Sequence, residues 1–357
     1  MRPFLHDQPA TRTLFGEGRL AELPNEADRL GLKRLLVLST PEQTALGGEA
    51  LRLLGPRGAG LFTKARMHVP IETAEAARAE ARRLDADGTV AIGGGTTTGL
   101  AKAIALSLDL PSIAIPTTYA GSEMTSIWGL SEGGIKKTGR AEKVRPRTAI
   151  YDPTLTYGMP ARLSATSGMN ALAHCVESLY AEDTNPIVRI FAAESIRAFG
   201  RALPIILKEP RNAEARSDAH YATWLAGTVL DRTTMGLHHK LCHTLGGSFD
   251  LPHAEVHTVI LPHATAYNRA AAPEAMRAIA QALGAEDAAQ GLYDLAKSLD
   301  APLALKDIGM KEENLDAAAR LATQSPYANP RPVELAPLRQ LLDDSYYGRR
   351  PERPAAA

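Results

Sequence analysis

Residues 89–118 read TVAIGGGTTTGLAKAIALSLDLPSIAIPTT. An apolar run, a triple glycine with three threonines, a stretch of helical period and a second apolar run follow without interruption. That order spells strand, tight turn, helix, strand. Neither strand alternates polar with apolar residues, so each is expected to be covered on both faces, as in a parallel sheet. Glycine lets backbone N–H groups approach a phosphate closely, and the helix N-terminus adds partial positive charge. The spacing is neither G-x-G-x-x-G nor a P-loop. The residues alone therefore leave two readings: a phosphate cradle, or a strand-to-helix turn without a ligand.

The same alternation runs outward. RLLVLST (34–40), LFTK (61–64) and TAIYDP (148–153) are further predicted strands, and 41–55, 71–84 and 97–108 are predicted helices. Strand–helix alternation points to a doubly wound parallel sheet. The stretch 130–146, LSEGGIKKTGRAEKVRP, breaks the pattern and reads as a hairpin or exposed loop. Ligands of such sheets sit at the carboxyl ends of strands. Ser39, Thr40, Thr117, Thr118 and Ser122 are therefore expected to share a crevice with Gly94, Gly95, Thr96 and Thr97. No acidic residue is evident at the end of the first strand to take a ribose 2′-hydroxyl, so NADH and NADPH both stay open.

Beyond Pro153 the period is helical almost throughout, to about residue 347. A boundary is expected near 153–160, dividing an α/β domain (1–155) from an all-helical domain (156–357). The tail RRPERPAAA is expected to fray. With 357 residues, zero formal net charge and 22% charged residues, the chain lacks the basic excess of a nucleic-acid binder. Cys175 and Cys242 form no CxxC and read as buried free thiols. Without a signal-peptide core or a run of ~20 apolar residues, a soluble cytoplasmic protein with no membrane partner is expected.

Ten histidines occur, six of them between 238 and 263. Asn170 with His174, and His239 with His243, stand at i,i+4 spacing and share helix faces; His253 follows a loop. An aspartate at 170 would complete an Asp-His-His-His cage for a divalent ion. Asn170 supplies only a neutral amide oxygen. Three imidazoles and a water remain a workable zinc set, although no HExxH is present. Without metal, the same histidines are hydrogen-bonding groups suited to an anion. Lys240 adds charge or faces solvent, His238 lies about 100° round the helix from His239, and His257 and His263 read as structural.

LFGEGRL, GGGTTTGLAKAIAL, IPTTYAGSEMTSIWGL, Asp152-Pro153, GMNALAHCVESLYA and HHKLCHTLGGSFDLPHAEVHTVILPH resemble the iron-containing (group III) alcohol dehydrogenase superfamily over nearly the whole chain. The resemblance implies a Rossmann-like α/β N-terminal domain plus an all-α C-terminal domain, a dehydroquinate synthase-like architecture with the active site in the cleft. Within the superfamily the chain most resembles the maleylacetate reductase branch. Gly99 replaces the aspartate of GGGSxxDxAK, Asn170 replaces the metal-binding aspartate, and Tyr119 and the HHKLCH run match that branch.

The resemblance implies residue roles. Gly94, Gly95, Thr96 and Ser122 hold the pyrophosphate of NADH or NADPH, with Thr117 and Thr118 close by. His174, His239 and His253 fall on the superfamily's metal-ligand positions, and His243 falls beside the nicotinamide. Tyr119, Asn170, His238 and Lys240 are expected at the substrate, a small anionic dicarboxylate. The implied reaction is reduction of maleylacetate to 3-oxoadipate in aromatic degradation, by a homodimer that pairs edge strands. With Asn170 in the cage, metal is expected not to be required. His243 and His253 are then expected to meet the developing charge, with His239 and His174 supporting. The rival readings are a metal-dependent alcohol or polyol dehydrogenase, a dehydroquinate synthase-like lyase, and a nucleotide-binding protein without catalysis.

Overall fold

The computed structural model describes residues 4–7, 9–133, 135–324 and 326–353. They form two compact units, Gln8–Met159 and Pro160–Ala357 with Met1–Asp7. The strands are β1 (Arg12–Phe15), β2 (Leu35–Leu38), β3 (Gly58–Phe62), β4 (Gly88–Gly93), β5 (Ser112–Pro116), β6 (Ile127–Glu132), β7 (Ile135–Arg140) and β8 (Thr148–Tyr151). Six of them make one parallel sheet in the order β1-β8-β5-β4-β2-β3. β6 and β7 form a separate antiparallel hairpin, which resolves the hairpin-or-loop expectation for that stretch.

The helices of this unit are α1 (Leu23–Arg29), α2 (Thr44–Leu54), α3 (Ile71–Arg83) and α4 (Gly95–Leu108). Leu35, Val37, Val90, Ile92, Ile113, Ile115 and Ile150 enter one core with Leu23, Ala27, Ala50 and Leu54. Leu36, Leu38 and Ala91 enter another with Ala74, Ala77, Leu100 and Ile104. Both sheet faces are buried, so successive residues of a strand feed opposite cores and the sequence shows a continuous apolar run. Each fully buried Leu or Ile contributes about 1.5–3 kcal/mol. The expected strand at 61–64 lies at Gly58–Phe62, because its first half is GAG and carries little apolar signal. β1 and α1 were not expected; each is too short, four and seven residues, to show a period.

The other unit is helical: α5 (Ala161–Tyr180), α6 (Pro186–Lys208), α7 (Ala213–Arg232), α8 (Leu237–Phe249), α9 (His253–Asn268), α10 (Pro273–Leu283), α11 (Ala288–Ser298), α12 (Leu315–Thr323) and α13 (Leu335–Tyr347). Asn185, Asn212 and Asp287 cap α6, α7 and α11 by accepting first-turn N–H groups. Every residue of α5 from Ser164 to Tyr180 is buried. It is the central helix, so its polar residues Asn170, His174 and Glu177 have to find partners inside the protein.

Two expectations about the chain ends change. Residues 4–7 go with the helical unit, where the Leu5 and Asp7 carbonyls accept from Asn185 and Arg232. The start of the tail does not fray. Arg349 pairs with Asp343 and Asp344, Arg350 with Asp294 and Arg353 with Glu286, and Pro351 is buried. Residues 354–357 lie outside the described residues. No helix among the described residues is long and apolar enough to cross a membrane.

Candidate active site

Two clusters carry chemistry, one in each unit. In the α/β unit, β4 and β5 run in register from Thr89↔Ser112 to Gly93↔Pro116, so their carboxyl ends lie side by side. Gly93 has φ +152°, and a Cβ there would fall onto Thr97 Oγ1. A Cβ on Gly94 would lie 2.9 Å from Thr118 Oγ1. The triple glycine is therefore a steric requirement of the turn. The Thr97 and Thr98 N–H groups both donate to Gly94 O. This leaves the first N–H groups of α4, on the partly exposed Gly95 and Thr96, directed out of the helix mouth.

Gly94, Thr118, Ser122 and Thr40 are also partly exposed and can reach a ligand. Three expected cofactor residues cannot act as first contacts. Ser39 and Thr97 are fully buried, and Thr117 is nearly so, with its hydroxyl accepting from Gln43 Nε2 at 2.8 Å. They shape the turn from beneath. Tyr119, expected at the substrate, is fully buried as well.

Sequence reasoning missed Lys102. It is fully buried and donates to Ser122 O (2.6 Å), Thr125 Oγ1 (2.7 Å) and Ile127 O (2.8 Å), fixing the loop that presents Ser122. The motif GLAKA looked like ordinary helix. Beside it, burial pushes the Glu123 carboxyl up, and Tyr151 donates to that carboxylate at 2.6 Å. Glu42 was also missed. It is exposed just past β2, and hydrogen bonds from its own N–H and the Thr40 hydroxyl hold its carboxyl below the usual range. An acid therefore does stand just past this strand end, where none was expected.

In the helical unit the structure brings six histidines together. Asn170 and His174 come from α5, His238, His239 and His243 from α8, and His253 and His257 from α9. They are graded by depth. His243 is exposed and His253 partly exposed, their rings stacked at 6.4 Å and 17°. His174, His239 and Asn170 lie behind, 5%, 6% and 7% exposed. His238 and His257 are fully buried, with His238 Nε2 and His257 Nδ1 2.9 Å apart. Burial, then the charge of the other histidines, holds both rings well below the ordinary imidazole range. The expectation that His238 meets substrate is thereby corrected, because its face of α8 is sealed by α9. Lys240 is half-buried with its ammonium 5.9 Å from the Tyr327 ring, so of the two expectations for it the solvent-facing one does not hold.

Glu177 organises the deeper layer. It follows Asn170 and His174 on one face of α5, at i+7 and i+3. Its carboxylate accepts N–H groups of Gly236, His238 and His239 at the start of α8, where the helix favours an anion. It also lies 2.5 Å from His239 Nδ1, and His239 Nε2 lies 2.9 Å from His174 Nδ1. The carboxylate places the proton on His239 Nδ1, and a line of groups runs Glu177–His239–His174.

The residues at the superfamily's metal positions fit a hard divalent ion poorly. The first is an amide whose Oδ1 is buried without a partner among the described residues, and the rest are imidazoles. The nearby charge, on Glu177, is turned to the back of His239. Hard divalent ions favour anionic oxygen. The open edge of His243 and His253, with the Asn170 amide and the buried pair behind, can instead hydrogen-bond a developing oxyanion or a carboxylate.

The sequence matches the model of the family described as "Iron-containing alcohol dehydrogenase" over residues 10–153. It matches "Fe-containing alcohol dehydrogenase family, C-terminal" over residues 164–346. A maleylacetate reductase of Burkholderia cepacia is 55% identical over 98% of this chain and 100% of its own. The crystal structure of maleylacetate reductase from Agrobacterium tumefaciens superposes with a TM-score of 0.95 at 48% identity, over 98% of this chain and 100% of that one. A sulfoacetaldehyde reductase from Bifidobacterium kashiwanohense, solved in complex with NAD+, gives 0.88 at 25% identity, over 96% and 98% of the two chains. The glycine turn of the α/β unit and the histidine cluster of the helical unit both fall within the matched residues, and the chain belongs to the iron-containing alcohol dehydrogenase family.

Proposed function

We propose that the protein is a maleylacetate reductase: with NADH or NADPH it reduces the conjugated C=C of maleylacetate to 3-oxoadipate, an activity of aromatic degradation. Similarity at about half identity over nearly the whole chain to maleylacetate reductases supports the reaction. The observation that carries the chemistry is Asn170, a neutral amide in a family metal position, beside imidazoles backed by Glu177.

When bound, the reduced nicotinamide supplies the hydride that adds to the alkene carbon β to the ketone. Gly94, Gly95, Thr96, Thr118 and Ser122 hold the pyrophosphate through N–H groups and hydroxyls, on a loop fixed by Lys102. Glu42 and Thr40 take the adenosine ribose, and the carboxylate disfavours a 2′-phosphate, so NADH is the preferred donor. His243 and His253 meet the negative charge that develops on the ketone oxygen. A preorganised donor of this kind contributes about 2.7–4 kcal/mol. His174, His239 and the Asn170 amide hold the substrate's carboxylate side. A histidine or a bound water protonates the carbon next to the ketone, so hydride and proton together saturate the alkene.

An isolated carbonyl accepts hydride reluctantly and gains from a Lewis acid. A conjugated enone delocalises the charge, so hydrogen bonds suffice and metal is not required. The proposal includes a cytoplasmic homodimer that pairs through an edge of the sheet, of which β1 is one.

The test is NADH oxidation with maleylacetate by exhaustively chelated protein. Full activity is expected, with little turnover of simple alcohols or aldehydes. Activity that vanishes on chelation and returns with Zn2+ or Fe2+ would support the rival metal-dependent alcohol dehydrogenase instead.

A further inference from the structure

We propose that His238, Cys242 and His257 form a binding site for a soft divalent cation of the zinc, cobalt or cadmium class, separate from the Asn170–His174–His239–His253 set. His238 and Cys242 lie one turn apart on the same face of α8, and His257 projects from α9. One ring nitrogen of each histidine and the Cys242 sulfur all lie within 4.8 Å of one another. All three residues are fully buried.

The spacing fits tetrahedral coordination. Zn–S bonds of about 2.3 Å and Zn–N bonds of about 2.0 Å place sulfur and nitrogen roughly 3.6 Å apart. Cys242 Sγ and His238 Nε2 are 3.6 Å apart. Two nitrogen ligands stand roughly 3.3 Å apart in such a centre. His238 Nε2 and His257 Nδ1 are 2.9 Å apart, so a small tilt of either ring opens the site.

The ligand chemistry agrees. Two imidazoles and a thiolate select borderline-soft ions. The neutral imidazole is the ligating form. His238 Nδ1 and His257 Nε2 have no hydrogen-bond partner among the described residues. The 2.9 Å contact between the two inner nitrogens holds one proton between the rings, and that proton has to move to an outer nitrogen before both rings present bare nitrogens to an ion. Burial, and then the negative charge of Glu177, push the Cys242 thiol well above its ordinary range. A dipositive ion reverses that balance, because thiolate and Glu177 carboxylate together offset its charge.

The experiment is titration of the intact, metal-stripped protein with Co2+, carried to equilibrium because the site is sealed. The expected result is one Co2+ per chain, with thiolate-to-cobalt charge-transfer absorption and a tetrahedral visible band. The chain has two cysteines, so a band that persists in Cys175→Ser assigns the ligand to Cys242. Cys242→Ser is expected to lose the band and to weaken Co2+ and Zn2+ binding by more than the 10–100-fold cost of losing an outer-shell partner. The band is expected to persist in His174→Ala. The proposal is overturned if saturating Co2+ produces no charge-transfer band, or if the band disappears in Cys175→Ser.

Discussion

The histidine cluster contains two imidazole pairs of equal spacing and opposite surroundings. In both, ring nitrogens stand 2.9 Å apart: His174 with His239, and His238 with His257. The first pair is backed by the Glu177 carboxylate and opens toward His253 and His243. The second is backed by the Cys242 thiol and closed on every side. A carboxylate behind an imidazole orients the ring and fixes which nitrogen carries the proton. Burial without a counter-charge holds the other pair well below the ordinary imidazole range. One geometry therefore yields a pair open to substrate and a pair sealed from it, and the difference lies in the neighbour behind each ring.

The largest effect is expected in front of the open pair. His243→Ala and His253→Ala should each lower kcat by about 10²-fold or more, the scale of a lost proton-transfer or charge-stabilising group. Steady-state NADH oxidation measures it, and near-normal turnover in both variants would remove these residues from the mechanism. Exchanging the backing groups comes next. Glu177→Gln keeps shape but removes charge, so kcat is expected to fall by about tenfold. His238→Leu, in the sealed pair, should leave kcat within a few-fold and lower stability instead. If His238→Leu impairs turnover more than Glu177→Gln, the distinction between the pairs is wrong.

Acid sharpens the same contrast. Burial holds His263 at about 4 against an ordinary 6.5, and His238 and His257 shift the same way for the same cause. Below pH 6.5 the unfolded chain takes up protons that the folded chain refuses. Stability is therefore complete above that pH and falls as the pH drops toward 4. His263 alone accounts for about 3 kcal/mol of this. Urea midpoints that stay flat across this window would contradict it. The smallest effect is at Glu42. Glu42→Gln should strengthen NADPH binding a few-fold and leave NADH nearly unchanged, as read from fluorescence titration.

The sheet was legible because strands buried on both faces leave uninterrupted apolar runs, and the triple glycine announced the turn between β4 and α4. β1 and α1 escaped because a few residues define no period. The histidine positions were legible from i,i+4 spacing. Their depth was not, since His238 is sealed by a helix that begins fifteen residues later. Glu177 could have been suspected from its place on the Asn170–His174 face, but its partners lie about sixty residues downstream. Ser39 and Thr97 were placed in the correct strand ends, yet side-chain direction decides whether a hydroxyl meets a ligand or a core.

The RRPER segment, finally, behaves as a buckle. Arg349, Arg350 and Arg353 fasten it to acids on α13, on α11 and just before α11. Cleaving the chain after Gly348 would strip away those cations and leave Asp294, Asp344 and Glu286 without these partners, while Asp343 keeps Arg339. The protein would gain an acidic patch and a formal net charge of −2. Such a truncation should be salt-sensitive in its self-association.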